Sequence, residues 1–430
     1  MAVAGTFLCC FCQHLQAQRA LQRVYSGAVG GYLIEATNGF FYGSDASSSN
    51  LFKFRPDGAY QSLAHPVSLN AEITLADDGN IYGTTRKGGA GYGSIFQLTP
   101  GGQFTEVYSF SAPFIGPGGL RKGIDGALYG FTGSSAPLYA PQPTSIFQFT
   151  TNGVFTTLHG ATNVPPGFNS SPVQAADGTL YGTAEYDINN FSFNTRETSI
   201  YKLSASGAYT VLYRITNATS SGLIFGPDGA LYGTLGGLAP YRGTPAEGAI
   251  FRITTNGQFT QILTFAQTNG SDPAARLLLA SDSYLYGTTT LGGISNSGTI
   301  FRIDTSGQLE KLADFTDANY NGPDAPLIEA SDGNLYGTTD GGPPYSPGAG
   351  SIFRLVPPPV ITALDISGGA TTLAWTSFTN GIYRVDYKSS LSIALWTTLV
   401  PRVTAADSTV SISASPPRVP QQFYRVTLLP

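Results

Sequence analysis

The sequence contains little cysteine, histidine or methionine. Its 430 residues include three cysteines, three histidines and one methionine, and Cys9, Cys10 and Cys12 lie together near the start. A disulfide framework needs cysteines spread along the chain, so we expect none. The zinc-hydrolase pattern H-E-x-x-H and the serine-hydrolase pattern G-x-S-x-G do not occur in the sequence. We therefore expect neither a metal nor a cofactor.

Charge is also scarce, since charged residues make up 11% of the chain and the net charge is -5. Without a run of Lys or Arg there is no basic surface for a phosphate backbone, so we expect no nucleic-acid partner. After the first residues, no apolar run is long enough for a transmembrane helix. The 53 glycines and 28 prolines are instead typical of an all-β protein rich in turns.

The N-terminus carries an export-like segment. An apolar run from Ala2 to Cys12 is followed by the small residue Ala17, which is the pattern of a signal-peptide core and its cleavage site. We expect residues 1–17 to be a signal peptide and the protein to be secreted or displayed at the cell surface. A frayed cytosolic N-terminus remains the alternative.

A tandem repeat organises most of the chain. A Tyr-Gly pair recurs about every fifty residues, at Tyr42, Tyr82, Tyr129, Tyr181, Tyr232, Tyr286 and Tyr336. A second motif such as Ile95-Phe96 follows in each copy, and an Asp-Gly pair such as Asp78-Gly79 precedes the Tyr-Gly pair in most copies. Asp-Gly suits a two-residue hairpin turn, so each unit is predicted to be a blade of four strands, a to d.

The seventh unit lacks its fourth strand, because the chain reaches Pro357-Pro358-Pro359 directly after Leu355. The missing strand is found at the other end, where LQRVYSG (Leu21–Gly27) aligns with FTEVYSF (Phe104–Phe110). An N-terminal strand in the last blade would leave no open edge in the ring. Residues 18–356 are therefore predicted to form a seven-bladed β-propeller closed by an N-terminal strand.

The unit from Asn269 to Ile303 resembles the GloVer tandem repeat of bacterial "choice-of-anchor" proteins. The resemblance rests on the motifs D-G-N-L-Y-G-T-T and G-x-I-F and covers Leu21–Leu355. The resemblance implies an exported bacterial repeat protein of unassigned activity. Residues 360–430 resemble small immunoglobulin-like or fibronectin type III-like modules and predict a small C-terminal β-sandwich. Family members often end in an anchoring region, and no apolar tail with a basic tip follows here.

Strand direction divides the predicted ring into two faces. The a-to-b and c-to-d turns are short and uniform, whereas the b-to-c and d-to-a loops on the other face, which we call the variable face, are long and differ in every blade. Variable loops on a rigid scaffold are where binding usually occurs. Aromatic faces with a few charged groups suit a glycan or a protein partner, so the candidate ligand-binding residues are Tyr139, Asp187, Phe191, Tyr241, Arg242 and Tyr345.

Three functions fit these observations. The first is a secreted or surface-bound non-catalytic binding protein for a glycan or a protein. The second is a propeller hydrolase or lyase, which would need two acids close together over the channel; the acids available are Glu185, Asp187, Glu197, Glu247 and Asp340. The third is a structural surface component, in which the loop residues pack only against each other. We expect the first, without catalysis, and the sequence does not predict an oligomeric state.

Overall fold

The chain is all-β in the residues described by the computed structural model, which are 20–27, 29–44, 50–63, 69–112, 116–133, 144–161, 167–187, 196–237, 247–316, 322–323, 325–339, 350–356, 359–367, 370–377, 381–390, 392–393, 395–407, 409–416 and 422–428. Within these ranges no helix has the length and apolar character needed to cross a membrane. Contacts divide the chain into two units, Arg23–Arg354 and a second unit that combines Met1–Gln22 with Leu355–Pro430. The predicted signal peptide, residues 1–17, lies outside the described residues.

The first unit consists of successive antiparallel sheets, numbered here as blades 1 to 7. The first strand among the described residues is β1 (Ala20–Gly27). Blades 1 to 3 contain β2 (Leu33–Glu35), β3 (Phe41–Ser44), β4 (Leu51–Phe54), β5 (Tyr60–Leu63), β6 (Leu69–Leu75), β7 (Ile81–Thr85), β8 (Ser94–Leu98), β9 (Phe104–Ser109), β10 (Leu120–Lys122), β11 (Leu128–Thr132), β12 (Thr144–Phe149) and β13 (Phe155–Ala161).

The next three blades follow the same order. In blade 4 two short strands share the inner position, since both pair with the same neighbour. Blades 4 to 6 contain β14 (Gly167–Phe168), β15 (Val173–Gln174), β16 (Leu180–Asp187), β17 (Arg196–Leu203), β18 (Tyr209–Thr216), β19 (Ala218–Phe225), β20 (Leu231–Gly237), β21 (Ala249–Ile253), β22 (Phe259–Thr264), β23 (Leu278–Leu279), β24 (Leu285–Thr289), β25 (Thr299–Ile303) and β26 (Leu309–Asp314).

Blade 7 joins the two ends of the repeat region. It contains β27 (Ile328–Glu329), β28 (Leu335–Thr339) and β29 (Gly350–Val356), and its fourth strand is β1, which pairs with β29. The prediction that the N-terminal strand completes the last blade is confirmed. The propeller fold is confirmed with it.

The core of the propeller lies between blades. One cluster combines Tyr42 and Leu51 of blade 1 with Ile81 and Phe96 of blade 2, and corresponding clusters join later neighbours. A further cluster joins blades 7 and 1 through Tyr336 and Phe41, among others. Because both faces of a blade are covered, the third strands are buried on both sides, as Thr299–Ile303 illustrates with a single half-buried residue.

The glycine of each Tyr-Gly pair makes room for an aromatic ring of the next strand. A Cβ atom on Gly287 would lie 2.4 Å from Phe301 Cζ, and one on Gly83 would lie 2.6 Å from Phe96 Cζ. Such separations are far inside van der Waals contact, so a side chain cannot be accommodated. The sequence pattern of Tyr-Gly followed by Ile-Phe is thus one packing unit.

The tyrosine of the pair fixes the Asp-Gly turn. Gly79 has a φ of 78°, as the turn requires, while Asp78 accepts hydrogen bonds from Asn80 N at 3.0 Å and from Tyr82 Oη at 2.7 Å. Burial opposes the charged form of Asp78, but these hydrogen bonds outweigh it and lower its pKa. Burial and the neighbouring Asp78 raise the pKa of Tyr82 to about 12. The repeated aspartates are therefore turn residues rather than a carboxylate array.

The second unit contains a small β-sandwich. Its two three-stranded sheets share one core around Leu373, Trp375, Tyr383 and Val385. The strands are β30 (Ile361–Ser367), β31 (Ala370–Thr376), β32 (Ile382–Lys388), β33 (Thr397–Thr404), β34 (Thr409–Ala414) and β35 (Phe423–Leu428). The alternation of buried and half-buried residues in β31 is the pattern of a strand with one face on a core.

Candidate functional site in the central channel

The predicted loop residues fall mostly outside the described ranges. Asp187 is the exception, at the end of β16, where its backbone is opposite Arg196 of β17. Its assignment as a ligand-binding residue stays a prediction. The other predicted ligand-binding residues lie outside the described residues and stay predictions: Tyr139, Phe191, Tyr241, Arg242 and Tyr345.

The acids considered for catalysis are engaged in different contacts. The Glu197 carboxylate forms an ion pair with Arg214. Glu185 Oε1 accepts hydrogen bonds from Asn169 Nδ2 at 2.7 Å and from Ser220 N at 3.0 Å. Glu247 is exposed. Asp340 lies outside the described residues.

Polar side chains from opposite sides of the ring meet at its centre. Ser171 Oγ of blade 4 donates a hydrogen bond to Glu72 Oε2 of blade 2 at 2.7 Å. Arg276 Nε of blade 6 lies 3.6 Å from Glu72 Oε1. Since blades 2, 4 and 6 are not neighbours, these contacts cross the space that the inner strands enclose. The three side chains therefore lie in the central channel.

A second arginine, Arg121 of blade 3, lies in the same space. Its Nη1 donates a hydrogen bond to the carbonyl oxygen of Leu223 in blade 5 at 2.7 Å. Burial and the nearby Arg276 guanidinium lower the pKa of Arg121 to about 10, against the opposing effect of Glu72. Arg121 nevertheless keeps part of its surface accessible. A guanidinium that is surrounded by protein and still partly accessible is expected for a side chain that lines a channel.

These positions are related by the repeat. The registers in blades 1, 2 and 3 place Leu33, Ile73 and Leu120 opposite the glycine of the Tyr-Gly pair. The residue before each of these apolar residues is directed into the channel. Across the seven blades this position is Tyr32, Glu72, Gly119, Ser171, Gly222, Arg276 and Pro326.

Glycine at this position leaves space for the charged side chains of other blades. A Cβ atom on Gly119 would lie 2.3 Å from Glu72 Cβ and 2.7 Å from Glu72 Oε2. A Cβ atom on Gly222 would lie 3.1 Å from Ser170 Cβ and 4.0 Å from Arg276 Cβ. At this position of the repeat, blades 2 and 6 thus have a long charged side chain, whereas blades 3 and 5 have no side chain.

A second polar layer lies nearer the variable face. Asn169, two residues before Ser171 in blade 4, donates through Nδ2 to Glu185 Oε1 and to the Ser220 carbonyl oxygen, each at 2.7 Å. Thr183 Oγ1 donates to Asn169 Oδ1 at 2.7 Å and holds the amide in this orientation. Glu185 is close to the variable end of β16. The polar lining therefore extends from the centre of the channel toward the variable loops.

Two buried polar atoms of this lining have no hydrogen-bond partner among the described residues, namely Arg276 Nε and Ser220 Oγ. The described ranges contain no group of three His, Cys, Asp or Glu side chains that could hold a metal ion. The channel presents guanidinium, carboxylate, amide and hydroxyl groups. Such groups recognise polar and anionic parts of a ligand.

The comparisons with known proteins agree with the repeat and the fold. Residues 192–383 match the family described as the Gloeobacter/Verrucomicrobia repeat, which supports the predicted repeat family in that part of the chain. No curated protein matches the chain.

Solved structures show the same architecture. A streptogramin B lyase is 18% identical with a TM-score of 0.52, over 79% of this chain and 97% of that one. A catalytically inactive virginiamycin B lyase from Staphylococcus aureus, solved with quinupristin, is 16% identical with a TM-score of 0.50, over 78% of this chain and 99% of that one. At these identities the chain is shown to share the β-propeller fold of these enzymes.

Proposed function

We propose that the protein is an exported bacterial binding protein without catalytic activity, and that it holds a glycan on the variable face over the mouth of the central channel. The observation that carries the proposal is the contact network across the ring, in which Glu72 joins Ser171 and Arg276. A scaffold that only assembled a surface layer would not need charged and polar groups from three non-adjacent blades in its channel.

The variable loops supply the complementary part of the site. Tyr139, Phe191, Tyr241 and Tyr345 provide aromatic surface for stacking on sugar rings, while Asp187 and Arg242 can orient hydroxyl groups. The apolar segment from Ala2 to Cys12 supports export. The repeat match supports a bacterial extracellular protein.

The contacts of the acids favour binding over hydrolysis. A glycosidase needs two carboxyl groups that both reach the scissile bond. Glu185 instead accepts hydrogen bonds within its own polar layer, and Glu197 is paired with Arg214 on a neighbouring strand. Neither contact leaves the carboxylate poised toward a substrate.

The proposal is tested with the full chain on a glycan array, with product analysis of the same wells. We expect binding of at least one glycan class and recovery of the glycan uncleaved. The double variant Phe191→Ala, Tyr241→Ala should weaken that binding at least tenfold. A central aromatic anchor typically contributes on the order of 2 kcal/mol to binding.

The matched control is Tyr284→Ala, which removes an aromatic residue from the opposite face, where Arg302 lies 4.4 Å from its ring centroid. This variant should bind as the parent does. Equal binding by the double variant would place the site elsewhere, and an array without any hit would exclude the glycan. Product formation that is lost in Asp187→Asn would replace the proposal with the enzyme hypothesis.

A further inference from the structure

Two guanidinium groups and one carboxylate meet at the centre of the channel. Among the described residues that meet there, Arg121 and Arg276 are guanidinium groups and Glu72 is the carboxylate. Burial and the nearby Arg276 guanidinium lower the pKa of Arg121 to about 10, which is still well above neutral pH. Glu185, the other carboxylate described in the lining, lies in the layer nearer the variable face, so the arginines outnumber the acid at the centre itself.

The hydrogen-bonding capacity of the arginines is also incompletely used. Within the described ranges Arg276 Nε is buried without a hydrogen-bond partner, and Glu72 Oε1 is 3.6 Å away. Glu72 itself is held by Ser171. A buried donor with no acceptor is costly, and a guanidinium presents its donors as a planar fork that matches carboxylate oxygens. The geometry thus favours a hydrogen-bond acceptor of a ligand at Arg276, beside Glu72.

We propose that the central channel binds the carboxylate group of an acidic ligand, with Arg276 as the principal donor and Arg121 as the second cation. This inference rests on the proposed function, since it names the acidic group by which a bound glycan is held. The ligand class is then an acidic saccharide such as a uronic acid.

Glu72 is given a defined role by this arrangement. Its carboxylate reduces the positive charge of the channel and competes with the ligand for Arg276. Gly119 permits this position, because any side chain there would collide with Glu72. We therefore expect Glu72 to set the affinity for the anion at a moderate value.

The test measures the dissociation constant of D-glucuronate for the full chain by isothermal titration calorimetry, beside D-glucose and inorganic phosphate. Acetate is included as the smallest carboxylate. We expect a carboxylate, glucuronate or acetate, to bind more tightly than glucose and phosphate. A Debye length of about 8 Å at physiological salt gives only partial screening inside a channel, so moderate salt should weaken binding without abolishing it.

Two variants are expected to act in opposite directions. Arg276→Gln removes the donor and should weaken carboxylate binding at least tenfold. Glu72→Gln keeps the shape and can still bond Ser171, but it removes the competing charge and should strengthen binding at least threefold. The control is Arg252→Gln, which removes an arginine paired with Asp228 away from the channel and should leave the dissociation constant unchanged.

Loss of folding cannot produce this pair of opposite changes, which keeps the test informative even if one variant is less stable. Equal affinity for glucuronate and glucose, or unchanged carboxylate binding in both channel variants, would overturn the inference. Neutral glycans bound on the array without any carboxylate binding would overturn it while the proposed function stood. Tighter binding of phosphate than of either carboxylate would overturn the assignment of the ligand class.

Discussion

The ring of Tyr25 in the N-terminal strand stacks on the ring of Tyr60 in blade 1, with centroids 4.3 Å apart and planes 9° from parallel. Tyr108 stacks on Phe155 between blades 2 and 3 with the same 4.3 Å separation and an 8° angle. Tyr25 therefore makes the same contact between blades 7 and 1 that Tyr108, in the fourth strand of blade 2, makes between blades 2 and 3. The closure is as regular as an ordinary blade interface.

We predict that removing this strand destabilises the propeller. Deletion of residues 18–27 leaves β29 with an unpaired edge and should sharply lower the melting temperature, measured by circular dichroism. Tyr25→Ala should cost about 1 to 3 kcal/mol of unfolding free energy through lost stacking and burial. Tyr213→Ala, at the comparable stack on Phe259, is the reference. An unchanged melting temperature after the deletion would refute the closure.

We predict opposite effects for two tyrosine-to-phenylalanine changes. Tyr336 Oη donates to Asp332 Oδ2 at 2.7 Å, so Tyr336→Phe should lower the unfolding free energy by about 1 kcal/mol. Tyr201 Oη is buried and has no hydrogen-bond partner in the described part of the chain, so Tyr201→Phe should raise the unfolding free energy by about 1 kcal/mol. Urea denaturation of both variants measures these values. A loss of stability in Tyr201→Phe would show that its hydroxyl has an acceptor.

We predict a pH dependence of stability that comes from His159, whose ring stacks on Tyr209 at 4.6 Å. Burial lowers its pKa, so below about pH 6.5 the unfolded state binds more protons than the folded state. Stability should then fall as the pH is lowered from about 6.5 toward the folded pKa, and it should be constant above that range. The lowered pKa of Asp78 affects stability only at more acidic pH, below about 4.

The matched variant for this effect is His159→Phe, which keeps an aromatic ring against Tyr209. Its melting temperature should depend less on pH between 7 and 5 than that of the parent. An identical pH profile in both proteins would assign the effect to other groups.

We predict that residues 360–430 fold as an independent domain. Their core has Trp375 fully buried, with its ring centroid 5.8 Å from that of Tyr383. The isolated segment should show cooperative thermal unfolding with a shift in tryptophan fluorescence. Limited proteolysis of the whole chain should cut within residues 356–362 and release this fragment. A segment that melts without cooperativity would contradict the prediction.

The blades could be predicted from the sequence because their determinants are local. The Asp-Gly turn, the Tyr-Gly pair and the Ile-Phe strand lie within one repeat, and each has a fixed packing role, as Asp78, Tyr82 and Phe96 illustrate. The alignment of Leu21–Gly27 with Phe104–Phe110 predicted the closure for the same reason. Seven copies of one pattern leave few alternatives to a ring.

The channel could not be predicted in this way, because its residues come from different blades. Glu72, Arg121 and Arg276 are far apart in sequence and each resembles an ordinary surface charge. The long loops indicate Glu185 and Asp187 as candidate residues, but they do not indicate Glu72. The signal that could have revealed Glu72 and Arg276 is the residue before the inner-strand residue opposite the glycine of the Tyr-Gly pair, because this position varies among charged, small and polar types while its neighbours keep the repeat.

The most direct test of the account is a crystal structure of the full chain with bound D-glucuronate. We predict that its carboxylate lies within hydrogen-bond distance of Arg276 in the channel, with the sugar ring directed toward the variable face. Electron density for the ligand only on the opposite face, or only on the C-terminal sandwich, would contradict the central claim that the channel is the binding site.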